Sequence, residues 1–109
     1  MGNKSGLMKI LKIETTFPNR EEANKFVERL LSQKLVACAQ FCSIDSAYWW
    51  NNSIERSNEI LVILKLSREN LNEVLSKFED HPYKIPEISI TEIKTTRDYG
   101  DWVNSIKGP

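Results

Sequence analysis

The sequence predicts an α+β fold, strands and helices in the order βαββαβ with a short helix after them. Three observations predict it. Two segments repeat apolar residues at helical spacing, Ala23-Phe26-Val27-Leu30-Leu31 and Leu71-Val74-Leu75-Phe78. Four segments rich in β-branched and aliphatic residues alternate with them, near 7–16, 35–50, 54–66 and 88–91. Asn51-Asn52 joins the two middle segments, and Asn tolerates the left-handed backbone of a tight hairpin turn. Strands and helices in this order form a ferredoxin-like sandwich, a four-stranded antiparallel sheet with two helices on one face.

The first strand ends at Phe17-Pro18. Asn19, with Glu22 three residues on, resembles a capping box and starts a helix over about 20–33. The second strand is expected from Leu35 to Trp50. The third ends in Ile60-Leu61-Val62-Ile63-Leu64, a run typical of a strand buried on both faces. Ser67 can cap a second helix. In the fourth strand the alternation slips at Glu92-Ile93, which suggests a bulge or the strand's end. Asp98 can cap a last helix whose apolar stripe is Tyr99, Trp102, Val103 and Ile106.

The hairpin outruns its cover. Arms of ~14 residues reach roughly 46 Å, whereas helices of ~13 residues reach roughly 20 Å. The tip carries Tyr48, Trp49 and Trp50, and neighbouring residues of a regular strand point to opposite faces. One layer cannot bury both tryptophans. Either another subunit covers them, which makes Tyr48, Trp49 and Trp50 a candidate interface, or a bulge turns both rings inward.

The chain has 109 residues, enough for one domain, with residues 1–6 reading as a flexible segment and 7–109 as the domain. Fifteen basic residues balance fifteen acidic ones. That excludes a general nucleic-acid binder, which needs a positive surplus. No apolar run is long enough to span a membrane. The first residues match neither a signal peptide nor a myristoylation site, so the cytoplasm is the expected compartment. The four glycines are Gly2, Gly6, Gly100 and Gly108, so no phosphate loop or dinucleotide fingerprint can be written.

The chemistry-bearing residues are few. Cys38 and Cys42 sit about 13 Å apart on a regular strand, too far for a disulfide or a shared metal, and read as small buried hydrophobes. His81 is the sole histidine and lies in His81-Pro82-Tyr83-Lys84-Ile85-Pro86-Glu87, stiffened by two prolines. It either caps the second helix, where its cation favours the dipole, or ligates a metal with help from carboxylates such as Glu87. Glu59, Lys65, Tyr83, Tyr99 and Trp102 are candidate contacts of a polar cleft. With one histidine and no serine or cysteine in a nucleophile context, the sequence does not read as an enzyme.

Several of these segments together resemble the CutA family, the divalent-cation tolerance proteins. The segments are Leu35-Val36-Ala37-Cys38-Ala39, Ser46-Ala47-Tyr48-Trp49-Trp50, Glu59 with Ile63-Leu64-Lys65, the His81–Glu87 segment, and Tyr99 with Trp102. The resemblance implies a compact homotrimer whose sheets pack much as in the trimeric nitrogen-signalling proteins. It also implies a role in tolerance to copper and other divalent cations. No cofactor is required beyond a divalent ion, copper or zinc, as possible ligand. Some bacterial relatives carry a cysteine where this chain has Glu14. A thiol suits Cu(I) and a carboxylate suits harder ions, so a metal site here would rest on His81 and carboxylates, at a subunit interface. The alternative is a trimeric module that binds a small molecule or signal in clefts between subunits.

Overall fold

The computed structural model describes residues 6–108. In chain order the elements are β1 (Leu7–Phe17), α1 (Arg20–Ser32), β2 (Cys38–Trp50), β3 (Ser53–Leu66), α2 (Leu71–Lys77), β4 (Ser89–Thr96) and α3 (Arg97–Ser105). The strands form one antiparallel sheet in the order β2-β3-β1-β4, so the expected ferredoxin-like sandwich is the observed one. Of the segment expected to be flexible, only Gly6 lies among the described residues.

Helix α1 starts where its cap places it, with the Asn19 side-chain oxygen accepting the Glu22 N–H at 2.9 Å. It ends without a glycine. Lys34 takes a left-handed φ of 58°. Its N–H reaches the Leu31 carbonyl at 3.0 Å, and the Leu35 N–H reaches the Leu30 carbonyl at 2.9 Å. These are the two bonds of a Schellman turn. Leu35 and Val36 are spent on this turn and buried beneath it, so β2 begins at Cys38 and not at Leu35.

The second helical segment is broken into a 3-10 turn (Arg68–Asn70), α2, and a second 3-10 turn (Phe78–Asp80). Ser67 caps it as expected, its hydroxyl accepting the Glu69 N–H at 3.3 Å. The first break falls at Asn70, whose buried amide donates to the carbonyls of Leu35 and Ile106 at 3.1 Å each. Its oxygen accepts the Gly108 N–H at 3.3 Å. One side chain thus ties the end of the α1 turn to the C-terminal tail.

Alternation divides the sheet into two faces. Leu11, Ile13, Thr15 and Phe17 of β1 lie beside Leu66, Leu64, Val62 and Ile60 of β3. This face packs on Ala23, Phe26, Val27 and Leu30 of α1 and Val74 of α2, and it holds the core. The other face carries Lys12, Glu14 and Thr16 beside Lys65, Ile63 and Leu61. There α3 covers one end, with Gly100 against the Met8 side chain and Val103 fully buried. The apolar run of β3 is therefore buried on one face only, since Leu61 and Ile63 are half-covered.

Neither the bulge or strand end suggested at Glu92-Ile93 nor the alternative bulge at the hairpin tip is present. β4 pairs with β1 without interruption from Leu7↔Thr96 to Glu14↔Ser89. The slip at Glu92-Ile93 reflects a change in which face is covered: Ile93 pairs with Ile10, which is buried on the α3 side. The β2–β3 hairpin likewise keeps register from Cys38↔Lys65 to Trp50↔Ser53. It turns through Asn51 and Asn52 at φ 50° and 64°, the geometry of a type I′ turn. The molecule spans 56 Å along its longest axis, and the tip stands clear of the helices.

Candidate functional site

The His81–Glu87 segment wraps around the end of β1. That strand stops at Phe17, which pairs with Ile60, so Glu59 on β3 has no β1 neighbour. Tyr83 fills the vacated place, and its hydroxyl donates to the Glu59 carboxylate at 2.7 Å. Burial raises the Tyr83 pKa, and the hydrogen bond to Glu59 and that carboxylate's charge raise it further. The phenol stays protonated and keeps donating. Glu59 is only 9 % exposed and forms no ion pair with a described residue.

His81 sets Tyr83 in place from the helix side. Its ring stacks on Phe17 at 4.4 Å between centroids and meets Phe26 and Phe78 at 6.0 and 5.9 Å. Nδ1 accepts the Tyr83 backbone N–H at 3.0 Å. A backbone N–H can only donate, so Nδ1 is unprotonated and Nε2 carries the proton. Nε2 lies 3.2 Å from the Thr15 hydroxyl and donates to it. Burial lowers the His81 pKa, against the opposing pull of the Thr16 backbone hydrogen bond and the Glu22 charge.

The histidine expected to offer a nitrogen to a metal thus has both nitrogens in hydrogen bonds and its ring among core phenylalanines. The helix-capping alternative holds only through its backbone, where the His81 N–H reaches the Phe78 carbonyl at 3.0 Å. As a neutral ring it brings no cation to the helix end. Glu14 sits on the opposite face of the sheet from His81's partner Thr15.

Beside Tyr83 lies a cleft of ≈ 690 Å³, walled by Tyr48 and Trp50 of the hairpin tip, with Glu59 and Glu87 along it. The Glu87 carboxylate accepts the Ser89 hydroxyl at 2.7 Å. Trp49 points to the other face beside Ile54, and both are exposed, 72 % and 60 %.

The residues expected to share one cleft fall into two groups. Glu59, Tyr83 and Glu87 meet at the hairpin side. Lys65 lies six residues along β3 from Glu59, roughly 20 Å away, and pairs across the sheet with Cys38. Tyr99 lies near Cys38 and tilts against Trp102 at 5.7 Å between rings. Lys65, Tyr99 and Trp102 therefore belong to the α3 end.

Two supporting residues were not anticipated, although the patterns contain them. Thr15 continues the inward series Leu11, Ile13, Phe17, and Asn70 precedes Val74 and Phe78 at helical spacing.

The sequence profile of the CutA1 divalent ion tolerance protein matches residues 11–106. The chain is 39 % identical over 94 residues to the divalent-cation tolerance protein CutA of Pyrococcus horikoshii, covering 84 % of this chain and 91 % of the relative. It is 33 % identical over 98 residues to the protein of the same name from Thermococcus kodakarensis, covering 88 % and 94 %. The structure superposes on CutA from Synechococcus elongatus with a TM-score of 0.85 at 27 % identity, covering 93 % of this chain and 95 % of that one. With a ferredoxin-like sheet, an overlong hairpin and a family profile that spans nearly all of it, the chain belongs to the CutA1 divalent ion tolerance family.

Proposed function

We propose that this chain serves divalent-cation tolerance as a cytoplasmic, non-enzymatic homotrimer, and that it holds a divalent cation, copper or zinc, at the Glu59–Glu87 cleft. One observation carries the reading: Glu59 is almost withdrawn from water and, among the described residues, meets one hydroxyl but no cation. A carboxylate in that position is costly unless a positive charge joins it. Glu87 along the same cleft supplies a second anionic donor.

The residues present fit a cation in part. Among the described residues no group of three or more His, Cys, Asp and Glu could hold a metal ion. Two carboxylates leave coordination positions open, and a second copy of the chain is the natural source of further donors. The exposed Tyr48, Trp50 and Ile85 line the cleft, Trp49 is exposed on the other face of the same tip, and all four favour such a contact. The family resemblance favours three copies. No helix among the described residues is long and apolar enough to cross a membrane, and the two free cysteines suit a reducing compartment.

Calorimetric titration with Cu²⁺, Zn²⁺ and Mg²⁺ tests the site. Glu59→Gln and Glu87→Gln keep shape and remove charge, and each is expected to weaken binding about tenfold or more. Unchanged affinity in both variants would remove the cleft from consideration. A greater loss in His81→Ala than in either glutamine variant would assign the ligand to the imidazole.

A further inference from the structure

A path of contacts ties the proposed cation cleft to the chain's single histidine. The Thr15 hydroxyl lies 3.2 Å from His81 Nε2, and Nδ1 accepts the Tyr83 N–H at 3.0 Å. The same Tyr83 reaches Glu59 with its hydroxyl at 2.7 Å. Among these residues only His81 changes charge close to neutral pH. Protonation breaks the path at one defined point. The neutral ring offers Nδ1 as an acceptor, whereas an imidazolium has two N–H donors and no acceptor. The Tyr83 N–H would then face another N–H, and that part-buried bond is lost.

The groups around the ring come from four segments. β1 supplies Thr15, the Thr16 backbone and Phe17, and α1 supplies Phe26 and the charge of Glu22. The 3-10 turn before His81 supplies Phe78, and its Asp80 is engaged by Arg29 at 2.6 Å. Tyr83 lies 5.4 Å away ring to ring, and its phenol stays protonated. Glu22 favours the imidazolium, but burial opposes it and prevails. We infer that the cleft is acid-gated: it holds its cation while His81 is neutral and releases it when the ring takes up a proton. The inference rests on the cation reading and adds its regulation. Tyr83 is the positioning residue. Its hydroxyl fixes one oxygen of Glu59 and leaves the other for the cation. A displaced Tyr83 frees that carboxylate to turn away. The two equilibria are linked, so a bound cation must in turn hold His81 neutral and lower its titration midpoint.

Because the chain has one histidine, its ring Cε1–H gives a single NMR titration. That titration, run on the full chain with and without saturating Zn²⁺, tests the gate. Zn²⁺ is expected to lower the midpoint by about one pH unit, which is the same coupling as a tenfold loss of affinity on protonation. Tyr83→Phe keeps the ring and the backbone N–H but removes the hydroxyl, and the shift is expected to shrink to about a third or less. Calorimetry supplies the reciprocal measurement. From about pH 7.5 to about pH 5.5 the Zn²⁺ affinity of the wild type is expected to fall about tenfold more than that of His81→Asn. The variant keeps an acceptor near Nδ1 and keeps proton competition at the carboxylates, and circular dichroism establishes that it is folded. A midpoint that Zn²⁺ leaves in place overturns the gate. So does a shift that persists undiminished in Tyr83→Phe, which would come from the ion's charge alone or from ligation by the ring. If Zn²⁺ binds at about pH 7.5 and the midpoint stays put, the gate is lost while the cation reading stands. If Zn²⁺ does not bind at all, both are lost.

Discussion

His81 is held by two hydrogen bonds and a wall of phenylalanine, and that environment favours its neutral form. Because burial lowers its pKa below the ordinary 6.5, the unfolded chain takes up the proton first as pH falls. The stability carried by the neutral ring is complete above about pH 6.5 and is lost as pH drops through that value toward the folded-state pKa. His81→Phe keeps an aromatic ring in the cluster but cannot titrate. Denaturant unfolding from about pH 7 to about pH 5 is therefore expected to show a steeper loss of stability in the wild type than in the variant. Parallel losses in both would mean that other groups govern the acid limb. The protonated ring could no longer accept the Tyr83 N–H, so the same acid step loosens the residue that bonds Glu59.

At the scale of elements, much of the structure was legible because local chemistry decides it. Asn19 capped α1, Ser67 capped the second helical segment, and Asn51-Asn52 turned the hairpin. The misreadings have one origin, which is that long-range packing leaves little local trace. Leu35 and Val36 look like strand residues, but Lys34 adopts a glycine-like conformation and turns them under the helix. The slip at Ile93 looked like a bulge because α3 covers the opposite face there. Lys34 gives a direct test. Replacing it with glycine removes the left-handed penalty and is expected to stabilise the fold by about 0.5–1 kcal/mol, read by denaturant unfolding. A loss of stability would mean that the lysine side chain contributes something its position does not reveal. The candidate site was legible in its members and not in its grouping: Glu59 and Tyr83 meet only because β1 stops short, and Lys65 is carried to the α3 end by six residues of strand.

At the scale of the whole molecule, the shape argues for partners. The tip of a molecule 56 Å long exposes Tyr48 and Trp50 on one face and Trp49 and Ile54 on the other, large apolar side chains of the kind that mark association surfaces. Trp49→Ser with Trp50→Ser is expected to lower the mass measured by light scattering from that of a trimer. A wild-type monomer, or a doubly substituted trimer that persists on dilution, would contradict the proposed assembly. Trp50 also walls the Glu59 cleft, so a loss of assembly is expected to bring a loss of cation affinity with it.

The location of the bound cation is the most direct test of the proposed function. Substoichiometric Cu²⁺ is paramagnetic and broadens the amide signals nearest to it. The expected result is that signals of Glu59, Tyr83 and Glu87 disappear first, and that Glu59→Gln abolishes the effect. Broadening centred elsewhere, with the Glu59 and Glu87 signals left sharp, would contradict it.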